Sequence, residues 1–400
     1  MDKFLVLLLS CFLWLTISSQ GLVRVDNVVK TALDIKTGAQ KTELYLPDLK
    51  GRAVGLIGNQ TSMVGKTHLL DTLLALGINV KKVFGPEHGF RGTADAGDQV
   101  KSMRDKKTGL PVISLYGKNE KPSPADLKDL DVLVFDIQDV GVRFYTYIST
   151  LHYVMEACAE NNKLLIVLDR PDPNGYYIDG PVLENKFKSF SGLHPVPLVY
   201  GMTIGEYAQM INGEKWLEGG AQCNLKVIPV DGYEHSDFYE LPVKPSPNLP
   251  NMASVYLYPS LALFEGTIVS VGRGTEFPFE VIGYPKLPDS KFTFTPHSIA
   301  GAVNPPYKDE LCSGFDLRNF GSMFIKNTKC LYLYWLQGTY KNTKDKANYF
   351  NSYFNLLAGT DELKKQIIDA VPESDIRKSW EPGLDRFKVI RKKYLLYKDF

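Results

Sequence analysis

Four hundred residues are more than one ordinary hydrophobic core accommodates, so two domains are expected. With 44% apolar and 23% charged residues the chain is globular rather than disordered or fibrous. Its 46 basic and 45 acidic side chains leave a net charge of +1, which argues against a surface built mainly to hold nucleic acid or an acidic membrane.

At the N-terminus, Lys3 precedes an apolar run from Phe4 to Ile17 that gives way to Ser18, Ser19 and Gln20. A basic start, a short apolar stretch and small residues describe a secretory signal peptide, so residues 1–20 read as a leader and the mature protein as exported, periplasmic or extracellular. The run is short of the roughly 20 residues a membrane-spanning helix needs, and no later segment reaches that length. Leu9-Ser10-Cys11 resembles a lipobox, but a lipid on Cys11 would leave apolar Phe12 to Leu15 on the mature chain. Beyond the leader stand Cys158, Cys223, Cys312 and Cys330. Export permits a Cys312–Cys330 pair, yet four buried thiols is the simpler expectation. No CxxC and no His-Glu-x-x-His occurs, so nothing has zinc-ligand spacing and no metal is expected.

From Arg52 to about Val230, short apolar runs alternate with helical stretches. Strands are expected at Ala53–Ile57, Asn79–Phe84, Val112–Leu115, Val132–Ile137, Leu164–Leu168 and Lys226–Val230. Helices are expected at His68–Leu76, Tyr145–Asn161 and Ile204–Ile211. Near-continuous apolar strands separated by helices predict an α/β fold, a Rossmann-like doubly wound parallel sheet, over residues 21–240. Four prolines between Leu241 and Pro250 mark an extended connector. A smaller α+β C-terminal domain follows over 241–400, with loops to about Asp316, a strand at Lys329–Trp335, and helices at Lys346–Leu357, Asp361–Ala370 and from about Leu384. The basic run Arg386, Lys388, Arg391, Lys392 and Lys393 reads as a solvated helix face.

In a doubly wound sheet, ligands bind beyond the carboxyl ends of the strands. The residues that follow four predicted strands are polar: Asn59-Gln60-Thr61, then Gly85-Pro-Glu-His-Gly-Phe-Arg-Gly92, Asp136-Ile-Gln-Asp-Val-Gly-Val-Arg143, and Asp169-Arg-Pro-Asp-Pro-Asn-Gly175. Together they predict one crevice. Gly85, Gly89 and Gly92 permit tight turns that hold Glu87 in a partly desolvated position suited to a general acid, while the plainer reading pairs Glu87 with Arg91. A second charged and aromatic loop, Gly272-Arg-Gly-Thr-Glu-Phe-Pro-Phe-Glu280, together with Phe264-Glu-Gly-Thr267, could reach the same crevice. Gly58 to Thr67 ends like a P-loop, but six residues separate its glycines where that motif needs four. Neither a dinucleotide fingerprint nor a serine-hydrolase elbow is present, so no cofactor is expected.

Taken in order, Gly55-Leu-Ile-Gly-Asn-Gln-Thr61, Phe84 to Gly92, Asp136 to Tyr147, Asp169 to Asn174, Pro245-Ser-Pro-Asn-Leu-Pro250 and Gly272 to Phe279 resemble the NamZ-type exo-β-N-acetylmuramidases. Gly58 and Tyr176 depart from that pattern. The resemblance implies a cleft between two domains. It also implies removal of terminal β-linked N-acetylmuramic acid from non-reducing ends of peptidoglycan fragments, with Glu87 catalytic. Asp136, Asp139 and Glu276 are the candidates for a second catalytic group, unless the sugar's 2-acetamido group takes that role. For the lactyl carboxylate the candidates are Arg143, Arg170 and Arg273. Asn59, Gln60 and His88 are the candidates for hydroxyl or acetamido contacts, and Tyr145 and Asp169 complete the expected binding set. The expected partners are muramic acid–glucosamine fragments.

Overall fold

The computed structural model describes residues 29–31, 34–91, 103–288 and 290–400, so the predicted leader and Gly92 lie outside the described residues. Strands β1 (Val54–Gly58), β2 (Val80–Gly85), β3 (Met103–Arg104), β4 (Pro111–Ser114), β5 (Val132–Asp136), β6 (Leu164–Leu168) and β7 (Asn224–Ile228) form one sheet. Their spatial order is β7-β6-β5-β1-β2-β4-β3, parallel throughout except for β3 against β4. The order reverses at β1, which lies between β2 and β5, and that reversal is the doubly wound arrangement.

Alternation along the strands shows why the sheet must be covered twice. Leu133 and Phe135 of β5 and Leu165 and Val167 of β6 pack on one face with helices α3 (Tyr147–Glu160) and α4 (Ile204–Gly213). Val132 and Val134, with Ile166 and Leu168, pack on the other face with α1 (Thr42–Leu49) and α2 (Leu69–Ala75). Side chains of successive strand residues point to opposite faces, and both faces here are apolar, so neither can meet water. The P-loop look-alike is a β-hairpin, Met63–Val64 against Thr67–His68, with Gly65 at φ 58° in its two-residue turn.

The second domain departs further from expectation. Where loops were predicted there is helix α5 (Met252–Leu261) and an antiparallel sheet of β8 (Val281–Tyr284), β9 (Phe292–Phe294) and β10 (Cys312–Asp316), with β10 central. Pro259 lies inside α5 and cannot donate to the Val255 carbonyl; that oxygen accepts instead from Asn174 Nδ2 at 3.2 Å. Lys329–Trp335 is not a strand. Leu331, Leu333 and Trp335 are buried alternately, but no neighbouring strand pairs with them, and α6 (Tyr334–Asn342) begins instead. Helices α7 (Phe354–Ala358) and α8 (Glu362–Ile368) follow, then α9 (Glu373–Arg391), which starts a full three turns before Leu384 because it runs through Pro382. Cys158, Cys223, Cys312 and Cys330 are free thiols. No helix among the described residues is long and apolar enough to cross a membrane.

The two domains share one continuous apolar core, which runs from Leu133 and Leu165 through Leu257, Phe279 and Leu331 to Phe387. The chain end then crosses back. Arg391, predicted as part of a solvated face, is buried; its Nε donates to the Gly201 carbonyl at 2.7 Å and its guanidinium pairs with Asp399. Tyr397 donates to Asp169 at the end of β6, and its oxygen accepts from the Val230 N–H at 2.8 Å. Replacing Tyr397 with Phe leaves the buried Val230 N–H without its partner and takes one donor from Asp169 at the domain junction. The unfolding free energy of Tyr397→Phe is expected to fall by about 1–3 kcal/mol, read from the denaturant midpoint; a change within about 0.5 kcal/mol would show the latch to be dispensable.

Candidate active site

A cavity of about 620 Å³ opens between the two domains, beyond the carboxyl ends of β2, β4 and β5. The first domain contributes Glu87 and His88 after β2, Tyr116 and Glu120 after β4, and Phe144, Tyr145 and Thr146 before α3. Ser246 and Asn248 of the proline-rich connector form another wall. Tyr258, Glu265, Arg273, Phe279 and Tyr353 close it from the second domain.

The loop after β2 turns sharply, with His88 at φ 65° and Gly89 at φ 74°. Glycine takes such angles freely, whereas histidine there is held by its surroundings at a cost of order 1 kcal/mol. His88 Nε2 lies 3.2 Å from Ser246 Oγ, so the strained residue is tied to the connector. Glu87 Oε2 accepts a hydrogen bond from Thr146 Oγ1 at 2.6 Å. Thr146 occupies the N-cap position of α3, where a threonine usually accepts from the helix backbone; here its hydroxyl is turned to the carboxylate instead. Burial, and then the charge of Glu87, push the Tyr116 phenol well up, so it stays protonated beside the carboxylate. Arg91 pairs with Asp105 at 2.8 Å.

On the opposite wall, Arg273 Nε donates to Glu265 Oε1 at 2.6 Å, and its guanidinium lies 5.0 Å from the Phe279 ring centroid. Its Nη1 is buried and has no hydrogen-bond partner within the protein. Burial raises the pKa of Glu120, the third lining carboxyl.

Of the residues singled out from the sequence, the structure brings Glu87, His88, Tyr145 and Arg273 into this cavity. The other eight lie elsewhere. Asp136 and Arg170 form a fully buried bidentate ion pair, with Nε–Oδ1 2.6 Å and Nη2–Oδ2 2.9 Å, which occupies the region beside the sheet reversal at β1. Asp139 is buried against the Tyr200 hydroxyl and the Gly141 N–H. Asp169 caps α4 by accepting from Thr203 and Gly205 and receives the Tyr397 latch. Arg143 gives its Nη1 to the Pro181 and Val196 carbonyls and its Nη2 to those of Leu357 and Ala358, so it holds backbone rather than ligand. Asn59 closes a turn onto Thr61, and Gln60 donates to the Lys244 and Pro245 carbonyls of the connector. Glu276 is exposed and does not line the cavity.

Sequence reasoning passed over Thr146, Tyr116, Glu120, Glu265, Tyr258 and Tyr353. Thr146 and Glu265 stand inside motifs already quoted, where a hydroxyl three residues after Arg143 and a glutamate before Gly-Thr were the available signals. Nothing in the sequence marks Tyr116, Glu120, Tyr258 or Tyr353. Among the described residues one acidic group, Glu156, Glu160 and Glu218, has ligand atoms within 4.8 Å of one another. Its cationic place is taken by Lys121 Nζ, at 2.6 Å from Glu156 and 2.5 Å from Glu160.

An aromatic-walled cavity with a held carboxyl group, set between a doubly wound domain and a smaller partner, defines an α/β protein with a ligand-sized cleft between its domains. Comparison with known proteins narrows the class. Residues 54–253 match the model of the N-terminal domain of exo-beta-N-acetylmuramidase NamZ, and residues 256–397 match that of its C-terminal domain. The chain belongs to this family. Peptidoglycan beta-N-acetylmuramidase NamZ of Bacillus subtilis (strain 168) is 39% identical over 383 residues, covering 88% of this chain and 89% of that protein. Two crystal structures of DUF1343 family proteins from Bacteroides fragilis NCTC 9343 are similar. One is 46% identical with a TM-score of 0.85, covering 92% of this chain and 99% of that one. The other is 33% identical with a TM-score of 0.78, covering 91% and 99%. The family division falls inside the first turn of α5, some residues after the connector.

Asp139 supplies a test of the buried network outside the cavity. Burial raises its carboxyl to about 6, against the Tyr200 and Gly141 hydrogen bonds that favour the anion. Between about pH 4 and pH 6 the folded chain holds a proton that the unfolded chain has released. The stability it contributes is therefore complete below about pH 4 and is lost as pH rises through about 6. Relative to wild type, the melting temperature of Asp139→Asn is expected to climb across that window and stay level above about pH 7. A pH-independent difference would show that folding leaves the pKa of the Asp139 carboxyl unchanged.

Proposed function

We propose that the protein is an exo-acting glycoside hydrolase that releases terminal β-linked N-acetylmuramic acid from the non-reducing ends of peptidoglycan fragments. Family membership supports the reaction class. The observation that carries the reading for this chain is Glu87: a carboxyl on the cavity wall, fixed by the Thr146 hydroxyl at 2.6 Å and flanked by a protonated Tyr116. In this role Glu87 protonates the glycosidic oxygen as the bond to the departing glucosamine breaks. Aromatic rings at Phe144, Tyr145, Tyr258 and Tyr353 give the sugar apolar faces to lie against. The leader read from residues 1–20 supports a location outside the cytoplasm, where such fragments arise.

The second catalytic role falls to the substrate. Among the described residues three carboxyls line the cavity; Glu265 is committed to Arg273, and burial opposes the ionised form of Glu120. The 2-acetamido oxygen then attacks the anomeric carbon as Glu87 gives up its proton, and water opens the resulting ring with Glu87 taking the proton back.

Purified protein incubated with a muramic acid–glucosamine disaccharide is expected to release free N-acetylmuramic acid. Glu87→Gln should lower turnover by about 10²–10⁴-fold while keeping the wild-type melting temperature. Binding without release by the wild type would make this a sugar-binding protein instead. Replacing the substrate's N-acetyl group by N-trifluoroacetyl should slow turnover at least about tenfold, since fluorine withdraws charge from the attacking oxygen; an unchanged rate would hand the second role to Glu120.

A further inference from the structure

Arg273 is the only arginine or lysine lining the cavity among the described residues, and one of its donors is already committed. Nε is spent on Glu265, and the plane of the guanidinium is set against Phe279. Its loop has little room to shift. Gly272 and Gly274 flank it at φ 78° and 84°, and a Cβ on Gly274 would stand 2.5 Å from Pro305 Cγ. Behind the Arg273–Glu265 pair lies a separate cavity of about 170 Å³, walled largely by apolar groups including Val269, Val271 and Tyr307. Its Nη1 is buried and has no hydrogen-bond partner within the protein. A buried N–H on a charged group demands an acceptor, which a ligand in the adjoining cavity would supply.

We propose that Arg273 is the specificity-determining residue that reads a sugar carboxylate, the lactyl group distinguishing N-acetylmuramic acid from N-acetylglucosamine, with Glu265 as its positioning residue. The inference rests on the muramidase reading for the identity of the sugar. A terminal sugar lacking the carboxylate would leave Nη1 buried without a partner while Glu265 still holds Nε. A site built around a polar partner rejects the analogue that lacks it far more strongly than an apolar pocket rejects a missing methyl group. The surrounding acidic residues sharpen the choice, because Arg273 alone makes a ligand carboxylate acceptable beside Glu87, Glu120 and Glu265.

The test compares an aryl β-N-acetylmuramide, the same compound with its lactyl group as the amide, and an aryl β-N-acetylglucosaminide, on wild type, Arg273→Gln and Arg273→Lys. Wild type is expected to favour the acid over the amide by about 100-fold in kcat/KM. In Arg273→Gln that ratio should collapse to within about threefold, with Arg273→Lys between the two. Equal losses on all three compounds, with the ratio intact, would overturn the assignment and make Arg273 a structural residue. If Arg273→Gln does not fold, the ratio in Arg273→Lys decides: an unchanged ratio overturns the proposal. A binding arm separates this inference from the reaction itself. Calorimetry on Glu87→Gln with free N-acetylmuramic acid and free N-acetylglucosamine should show the acid bound at least about tenfold more tightly. That preference without hydrolysis by the wild type would sink the muramidase reading and leave the carboxylate reader standing; equal binding would sink the reader.

Discussion

The structure depends on one buried cation. Arg143 is fully enclosed, and its two terminal nitrogens grip four carbonyl oxygens, two from the first domain and two from the end of α7 in the second. A guanidinium out of water needs its donors met, and here four carbonyls meet the two terminal nitrogens while the buried Nε has no partner within the protein. Burial lowers its pKa to about 9, which still leaves it charged at neutral pH. Because the next three residues, Phe144, Tyr145 and Thr146, line the cavity, this grip fixes the loop that presents a hydroxyl to Glu87. An arginine placed where a ligand-binding arginine was expected thus serves the site by building its wall.

The same exchange of roles runs through the sheet. Polar residues at strand ends were legible as a group, and the strand positions and doubly wound order follow from apolar runs and their spacing. What the linear pattern could not convey is which of those residues neutralise one another. Asp136 ends β5 and Arg170 follows β6, and they lock together beside the reversal at β1, so an ion pair occupies the region where such folds often bind ligands. The open cavity lies to one side, over β2 and β4. Glu87 was legible because its glycine-flanked loop requires unusual backbone angles. Glu265 and Arg273 were legible only as charge in a loop, since their mutual pairing arises in three dimensions.

The second domain was read less well, for local reasons. Proline is a strong stop signal in sequence, yet α5 and α9 each carry one internally. In α5 the carbonyl freed by Pro259 finds a donor in Asn174, from a loop of the other domain. The compensation for a broken helix bond is thus tertiary and invisible to any window of neighbouring residues. Leu331, Leu333 and Trp335 make the complementary point: alternating burial was correctly visible, but an alternating segment becomes a strand only where another backbone is available to pair with it.

The closing of Asp169 by Tyr397 joins positions 228 apart. A ribosome adding about 5–20 residues each second takes roughly 10 to 45 seconds to cover that distance. Throughout that interval the sheet can assemble, but the end of β6 stays open to water and the last donor to its carboxylate does not yet exist. A chain not yet extended to Tyr397 therefore presents an unlatched domain junction, with the Val230 N–H and the Asp169 carboxylate each short of one partner.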